Sequence, residues 1–387
     1  MPKKRRIPGG SRTARRLTRR QLQPLPPTCR SSPPARTSPG KKQNVRYCFC
    51  MISVFAEATF GSLRRTDQRR WAEVYLRGLL GTAGKKTVRR LAAAVSDRET
   101  AFQSLHQFVN ASPWDWEPVR RELTRWAEEH TAPRAWVLDD VVLRKRGDHS
   151  CGVHRRFSPA DGRSVNGQVG TGLFLAGDHG ALPVDWALYL PECWTADPAR
   201  RRRVRIPDGI GHRPAEEQAL GLVDALAAHT RLPAVPVVAD ASSRPGAEAF
   251  VRGLARRGHD FVVAVPGHLP LARAATALPG PVRADQGPAA YRAFTTRGRA
   301  GRAADRTWIT NMPHARTDEL LALTRTLGLA REAVRYMESD LGLGDFEGRS
   351  FPGWHHHMTL VSAAYAYSRQ AATADLPHHL AALPAAA

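Results

Sequence analysis

The 387-residue chain is 42% hydrophobic and 24% charged, with a formal net charge of +23 and a pI near 11. It is long enough to bury a core across two or three domains, and no apolar run reaches the roughly 18 residues of a membrane span. The charge excess points to a polyanionic partner, nucleic acid first, although arginine far outnumbers lysine and G+C-rich coding can contribute to that.

Residues 1–50 combine many Arg and Lys with eight prolines and no acidic residue. Such a segment cannot bury enough apolar surface to fold alone, so it reads as a disordered basic arm. It equally suits an upstream extension of the reading frame, since Met51 opens a globular-looking sequence. The segment also lacks the apolar core of a secretory signal, and cytoplasm, on DNA, is the expected location. The five cysteines (Cys29, Cys48, Cys50, Cys151 and Cys193) form no CxxC pair and no zinc framework.

From 51 to 132 the pattern is helical. Trp71, Val74, Tyr75, Leu76, Leu79 and Leu80 share one face at 3.6-residue spacing. Further helices are predicted over Thr87–Val95, Glu99–Val109 and Glu117–Glu129. Short helices with Lys85, Lys86, Arg89 and Arg90 at one junction suggest a helix-turn-helix-like DNA-binding domain; a plain bundle with a solvated basic face is the alternative.

At 133 the texture changes. Trp136-Val-Leu-Asp-Asp-Val-Val-Leu143 is an apolar strand carrying two adjacent carboxylates. Side chains alternate along a strand, so Asp139 and Asp140 face opposite ways, and at least one points into protein. Ser164–Ala176 and Ala181–Leu190 read as a hairpin, and Pro191–Arg205 as a loop carrying Arg200, Arg201, Arg202 and Arg203. A helix over Pro214–Thr230 leads to a strand, Val235–Ala239, with Asp240 at its carboxyl end. Another helix (Pro245–Arg257) and strand (His259–Val265) follow. That order implies parallel strands with ligands at their carboxyl ends. A weakly patterned insertion at about 266–316 holds short strands near Tyr291–Thr295 and Trp308–Thr310. Helices over Asp318–Asp340 and Trp354–Ser368 close the domain at 369, before a tail at 370–387.

Two strand-borne carboxylates about a hundred residues apart suit two-metal phosphoryl transfer, which needs oxygen ligands from separate elements to converge on cations. With a Glu from a late helix they make the Asp-Asp-Glu triad of a ribonuclease-H-like α/β core.

Ordered motifs carry the pattern further. They include Trp71-Ala-Glu-Val-Tyr-Leu-Arg-Gly-Leu-Leu80, Gln107-Phe-Val-Asn-Ala-Ser-Pro-Trp-Asp-Trp116, Trp136-Val-Leu-Asp-Asp140 and Asn166-Gly-Gln-Val169. Leu188-Tyr-Leu-Pro-Glu192, Val238-Ala-Asp-Ala241, Phe346-Glu-Gly-Arg349 and Gly353-Trp-His-His-His357 follow in order. On these the chain, from about 51 to 369, resembles bacterial insertion-sequence transposases of the Asp-Asp-Glu class with an insertion before the last carboxylate. The resemblance implies a magnesium-dependent DNA endonuclease and strand transferase. It would use two Mg2+ ions (Mn2+ substituting) on double-stranded DNA at the terminal inverted repeats of its element, as a homodimer. Asp139 and Asp240 are the implied first two ligands, with Asp140 the alternative to Asp139.

Counting back from Leu341-Gly-Leu343, the third ligand falls at or next to Arg331. Glu332 is the expected carboxylate and Glu338 the alternative; loss of the third carboxylate is the remaining possibility. Ser242 and Ser243 also stand where relatives usually have Gly and an aromatic. A relative that kept the fold and only binds DNA is therefore the competing reading. Arg69, Arg70, Lys85, Lys86, Arg89, Arg90 and Arg200–Arg203 are the candidate phosphate contacts. His355, His356 and His357 lie about 100° apart on a helix and cannot jointly hold one ion, which favours a packing role or phosphate contact.

Overall fold

The computed structural model describes residues 41–96, 100–158, 162–270, 272, 291–297 and 305–373. Residues 1–40 of the expected basic arm, most of 266–304 and the tail from 374 lie outside the described residues.

Among the described residues five helices come first: α1 (Lys41–Phe60), α2 (Thr66–Gly81), α3 (Val88–Val95), α4 (Thr100–Asn110) and α5 (Trp116–Thr131). Helix α1 begins ten residues before Met51. Helix α2 buries Tyr75, Leu76 and Leu79 of its predicted face together with Gln68, Ala72 and Gly78, while Trp71, Val74 and Leu80 are half-buried against the core. Thr87 caps α3 by accepting from the Arg90 amide, and Asp115 caps α5 by accepting from the Glu117 amide at 2.9 Å.

Eight strands follow among the described residues, with helices between them: β1 (Ala135–Arg144), β2 (His154–Ser158), β3 (Arg163–Gly177), β4 (Gly180–Leu188), α6 (Glu192–Thr195), α7 (Pro198–Val204), α8 (Ala215–Ala227), β5 (Val237–Asp240), α9 (Ala247–Arg256), β6 (Phe261–Val265), β7 (Arg292–Thr296) and β8 (Arg306–Thr310). The chain then forms α10 (Thr317–Ser339) and α11 (Phe351–Thr373). The segment read as a loop at 191–205 instead holds α6 and α7. Asp197 accepts from the Ala199 and Arg200 amides and Pro198 presets the first turn, a start signal in the sequence itself.

The strands make one mixed sheet ordered β2-β3-β1-β5-β6-β8-β7, with β4 also on β3. Strand β1 is antiparallel to β3 and parallel to β5, and β5 is parallel to β6. Strands β7 and β8 extend this sheet, since β8 pairs with β6. Strand β1 is buried on both faces from Ala135 to Asp139, which explains its near-continuous apolar run. Helix α10 lies across β1, β3, β4 and β5. Helix α11, buried nearly all round, is sandwiched between β4 and the helices α1, α2, α4 and α5, so one continuous core joins the helical half to the sheet.

Candidate active site

Parallel pairing of β1 with β5 sets Leu138 beside Ala239, so the residues after each, Asp139 in mid-β1 and Asp240 at the end of β5, lie side by side. Their side chains converge on one guanidinium. Arg331, from α10, donates through Nε to Asp139 Oδ2 at 3.1 Å and through Nη2 to Asp139 Oδ1 at 3.2 Å. The same Nη2 donates to Asp240 Oδ2 at 2.9 Å. Asp139, not Asp140, is thus the neighbour that faces Asp240. Asp140 points to the other face, accepting from Thr171 Oγ1 at 2.7 Å and pairing with Arg244 at 2.5 Å.

The remaining lone pairs of Asp240 are also taken up. Its Oδ1 accepts from the Ser242 amide at 3.1 Å and from Ser242 Oγ at 2.5 Å, and Arg306 Nε stands 3.4 Å from Oδ2. Three carboxylates on β1 and β5 therefore meet three guanidiniums, Arg244, Arg306 and Arg331. Burial penalises ionisation of Asp240, but the hydrogen bonds from Ser242 and Arg331 outweigh it and hold the carboxyl below its ordinary range. For Asp139 burial wins: desolvation raises the carboxyl above its ordinary value against the pull of Arg331, helped by its acidic neighbours. The two aspartates raise the Arg331 guanidinium further despite its partial burial.

Helix α10 buries Leu327, Ala330, Ala333, Val334 and Met337 against the rest of the fold, and Arg331 reaches the carboxylates from within that face. Glu332, one residue on, is turned about 100° away. It is exposed and near Tyr365 of α11, so the structure does not bring it to the aspartates. Glu338 is on the stripe of Arg331 but two turns along, about 10.5 Å by helical rise. Its carboxyl is exposed at the surface yet raised by partial desolvation. Among the described residues no group of three or more His, Cys, Asp or Glu could hold a metal ion. Two carboxylates locked on a guanidinium do not fit a two-ion magnesium centre, which requires additional oxygen donors.

The basic candidates divide. Lys86 is buried, its ammonium on the Thr82 carbonyl and its amide donating to Asp345 at 2.7 Å. Arg201 spends its guanidinium on the carbonyls of Thr195, Ile210, Pro207 and Asp208. Arg69 donates to the Leu63 carbonyl at 2.7 Å and is half-buried. Arg70, Lys85, Arg89, Arg90, Arg202 and Arg203 are exposed. Arg70 lies over Trp71, Arg89 over Phe102, and Arg200 over Trp194, while Lys85 pairs with Glu347 and Arg90 donates to the Ala83 carbonyl.

The histidine triplet is core. His356 stacks on Trp114 at 3.8 Å, with Nδ1 3.0 Å from the Val109 carbonyl and Nε2 2.8 Å from that of Trp114. His357 donates through Nε2 to Gly342 and accepts from Tyr75 at Nδ1, and His355 stacks on Trp116 beside the buried Arg120.

Sequence reasoning narrowed the facing helix position to Arg331 or its neighbour but settled on Glu332, and it passed over the roles of Arg331, Arg244 and Arg306. The available signal was a basic residue on the buried stripe of α10, since a cation there requires an anionic partner.

Comparison with curated proteins finds no match. A cryo-EM structure of a piggyBac transposase synaptic complex with hairpin DNA aligns over 88% of this chain and 79% of that one, at 12% identity and a TM-score of 0.39. The family model of the DDE superfamily endonucleases matches residues 58–325, which include Asp139 and Asp240 and end before Arg331, and the chain belongs to that family.

Proposed function

We propose that the chain is a transposase-class protein that binds duplex DNA and holds its phosphoryl-transfer centre closed. The observation that carries this reading is the Arg331 guanidinium shared between Asp139 and Asp240. Phosphodiester cleavage by this class of site draws on cations held by converging carboxylates, and here the converging group is itself a cation. Family membership and net charge support DNA as the partner. The first fifty residues contribute +14 of the +23, leaving a modestly basic remainder. In this reading the sheet is a ribonuclease-H-like core, and α2 with α3 forms a helix-turn-helix-like element. A homodimer engages the terminal inverted repeats of an insertion sequence in the cytoplasm. Arg70, Lys85, Arg89, Arg90, Arg202 and Arg203 supply phosphate contacts, which position a protein on duplex DNA without reading its sequence.

A second reading, an active magnesium-dependent endonuclease and strand transferase, is favoured by the survival of both aspartates side by side. It requires Arg331 to swing out and a further oxygen ligand, from Glu332 or Glu338, to swing in.

One experiment separates them. A marker is placed between the gene's own flanking sequences, and excision is scored alongside gel-shift binding of those flanks with EDTA or Mg2+. The closed reading expects binding in EDTA, retained by Asp240→Asn, with no excision. Excision by the wild type that is lost in Asp139→Asn and Asp240→Asn establishes the active enzyme instead.

A further inference from the structure

We infer that Arg331 is a built-in counter-cation standing in the place a divalent ion takes in a carboxylate centre, so that the wild-type chain binds no such ion at Asp139 and Asp240. The inference rests on reading those aspartates as the family's carboxylate pair. It concerns what they bind, whatever the protein does with DNA.

Space is the first constraint. Nη2 of Arg331 is 3.2 Å from Asp139 Oδ1 and 2.9 Å from Asp240 Oδ2, so it sits between the two oxygens that would have to share an ion. A guanidinium is planar, matches a carboxylate edge with paired N–H groups and stays protonated at every pH the fold survives. Magnesium instead demands near-octahedral oxygen coordination at about 2.0–2.1 Å and parts reluctantly with its water. The guanidinium and the ion therefore compete for one volume and for the same lone pairs.

Charge points the same way. Asp240 is already satisfied at Oδ1 by Ser242, and Arg306 stands 3.4 Å from its other oxygen. Asp140, the only other carboxylate on β1, is engaged by Arg244 and Thr171 on the opposite face. An incoming dication would meet two adjacent guanidiniums and find only two carboxylates free to turn towards it. A carboxylate at position 331 reverses both conditions. It removes the fixed cation and adds the missing oxygen donor from the helix face that already points at the pair.

The test uses the full-length protein and Mn2+ as probe, read by electron paramagnetic resonance of free Mn2+ and by thermal melting. Wild type should bind no Mn2+ dependent on the aspartates and melt at the same temperature in EDTA and in millimolar Mn2+. Arg331→Glu should gain a site, seen as loss of free Mn2+ signal and a melting temperature raised by Mn2+. Asp240→Asn added to that variant should abolish the gain. Wild-type binding that disappears in Asp139→Asn or Asp240→Asn overturns the inference, and that arm stands even if Arg331→Glu does not fold. A folded Arg331→Glu without Mn2+ binding overturns it too. Either failure leaves gel-shift binding of DNA intact, whereas loss of DNA binding with an Mn2+-silent wild type defeats the functional reading alone.

Discussion

The histidine triplet of α11 and the aspartate pair on β1 and β5 are both buried titratable clusters, and they meet burial in different ways. The histidines shed their charge. Desolvation pushes His356 and His357 down to about 4 and His355 well below its ordinary value, which favours neutral rings that act as aromatic packing with polar edges; a neutral His356 donates to only one of the Val109 and Trp114 carbonyls. The aspartates are instead matched with the counter-charges and donors of Arg331, Arg306 and Ser242, which hold Asp240 below its ordinary range while burial still raises Asp139. A neutral ring wedged between tryptophans has no ligand to exchange. A carboxylate pair with a partly exposed counter-ion does, and that difference marks the β1–β5 aspartates as the place where chemistry or its suppression is decided.

The largest expected effect is acid sensitivity of the histidine side. Their folded values lie below the unfolded value near 6.5, so the unfolded chain takes up protons that the folded chain refuses. Stability is therefore lost as pH falls from about 6.5 towards 4, by about 1–2 kcal/mol per histidine between pH 7 and 5. Urea melts at the two pH values measure it, and an unchanged midpoint would show the rings to be protonated or accessible. The aspartates cannot account for such a loss. Asp240, depressed, withdraws its support only below the ordinary carboxylate range, while Asp139, raised, costs stability once ionised, so their contributions oppose each other.

Next in size, His356→Ala removes a ring stacked on Trp114 and leaves the Val109 and Trp114 carbonyls without it. A loss of about 2–4 kcal/mol is expected, read by denaturant midpoint.

On the other side of the comparison, Asp240→Asn should cost about 1–3 kcal/mol at pH 7, since it weakens charge-assisted bonds from Arg331 and Ser242. Asp139→Asn removes a carboxylate whose ionisation burial already opposes, so it should cost less. Equal losses would mean that the two aspartates share Arg331 evenly.

Much of this was legible in the sequence because it rests on local pattern. The β3–β4 hairpin follows from Gly177-Asp-His-Gly180, and β5 ends on Asp240 as its apolar run indicates. Helices α8 to α11 fall within a few residues of their predicted spans. The convergence of Asp139 and Asp240 was inferable from strand order. What escaped was non-local. Whether position 331 or 332 faces the sheet is a matter of about 100° of helix rotation, fixed by which α10 residues pack on distant strands. The closing of α1, α2, α4 and α5 around α11 depends on a helix more than two hundred residues later. Basic residues posed the same difficulty, since Lys86 and Arg201 look identical to their exposed neighbours until the carbonyls they bind are seen.

That last distinction gives the smallest effect and repeats the comparison within one helix. In α7, Arg201 is committed inward to four carbonyls while Arg202 and Arg203 are exposed. If the exposed pair binds phosphate, Arg202→Ala with Arg203→Ala should flatten the plot of log affinity against log salt. The slope should change by up to about 0.9 for each phosphate no longer neutralised, with the melting temperature unchanged. Arg201→Ala should do the reverse, lowering the melting temperature through the 195–210 segment while leaving the slope of the folded protein as it was. Arg202 and Arg203 replaced without any change in slope would remove α7 from the DNA footprint. The partner surface would then be confined to Arg70, Lys85, Arg89 and Arg90 around α2 and α3 and to the basic residues before them.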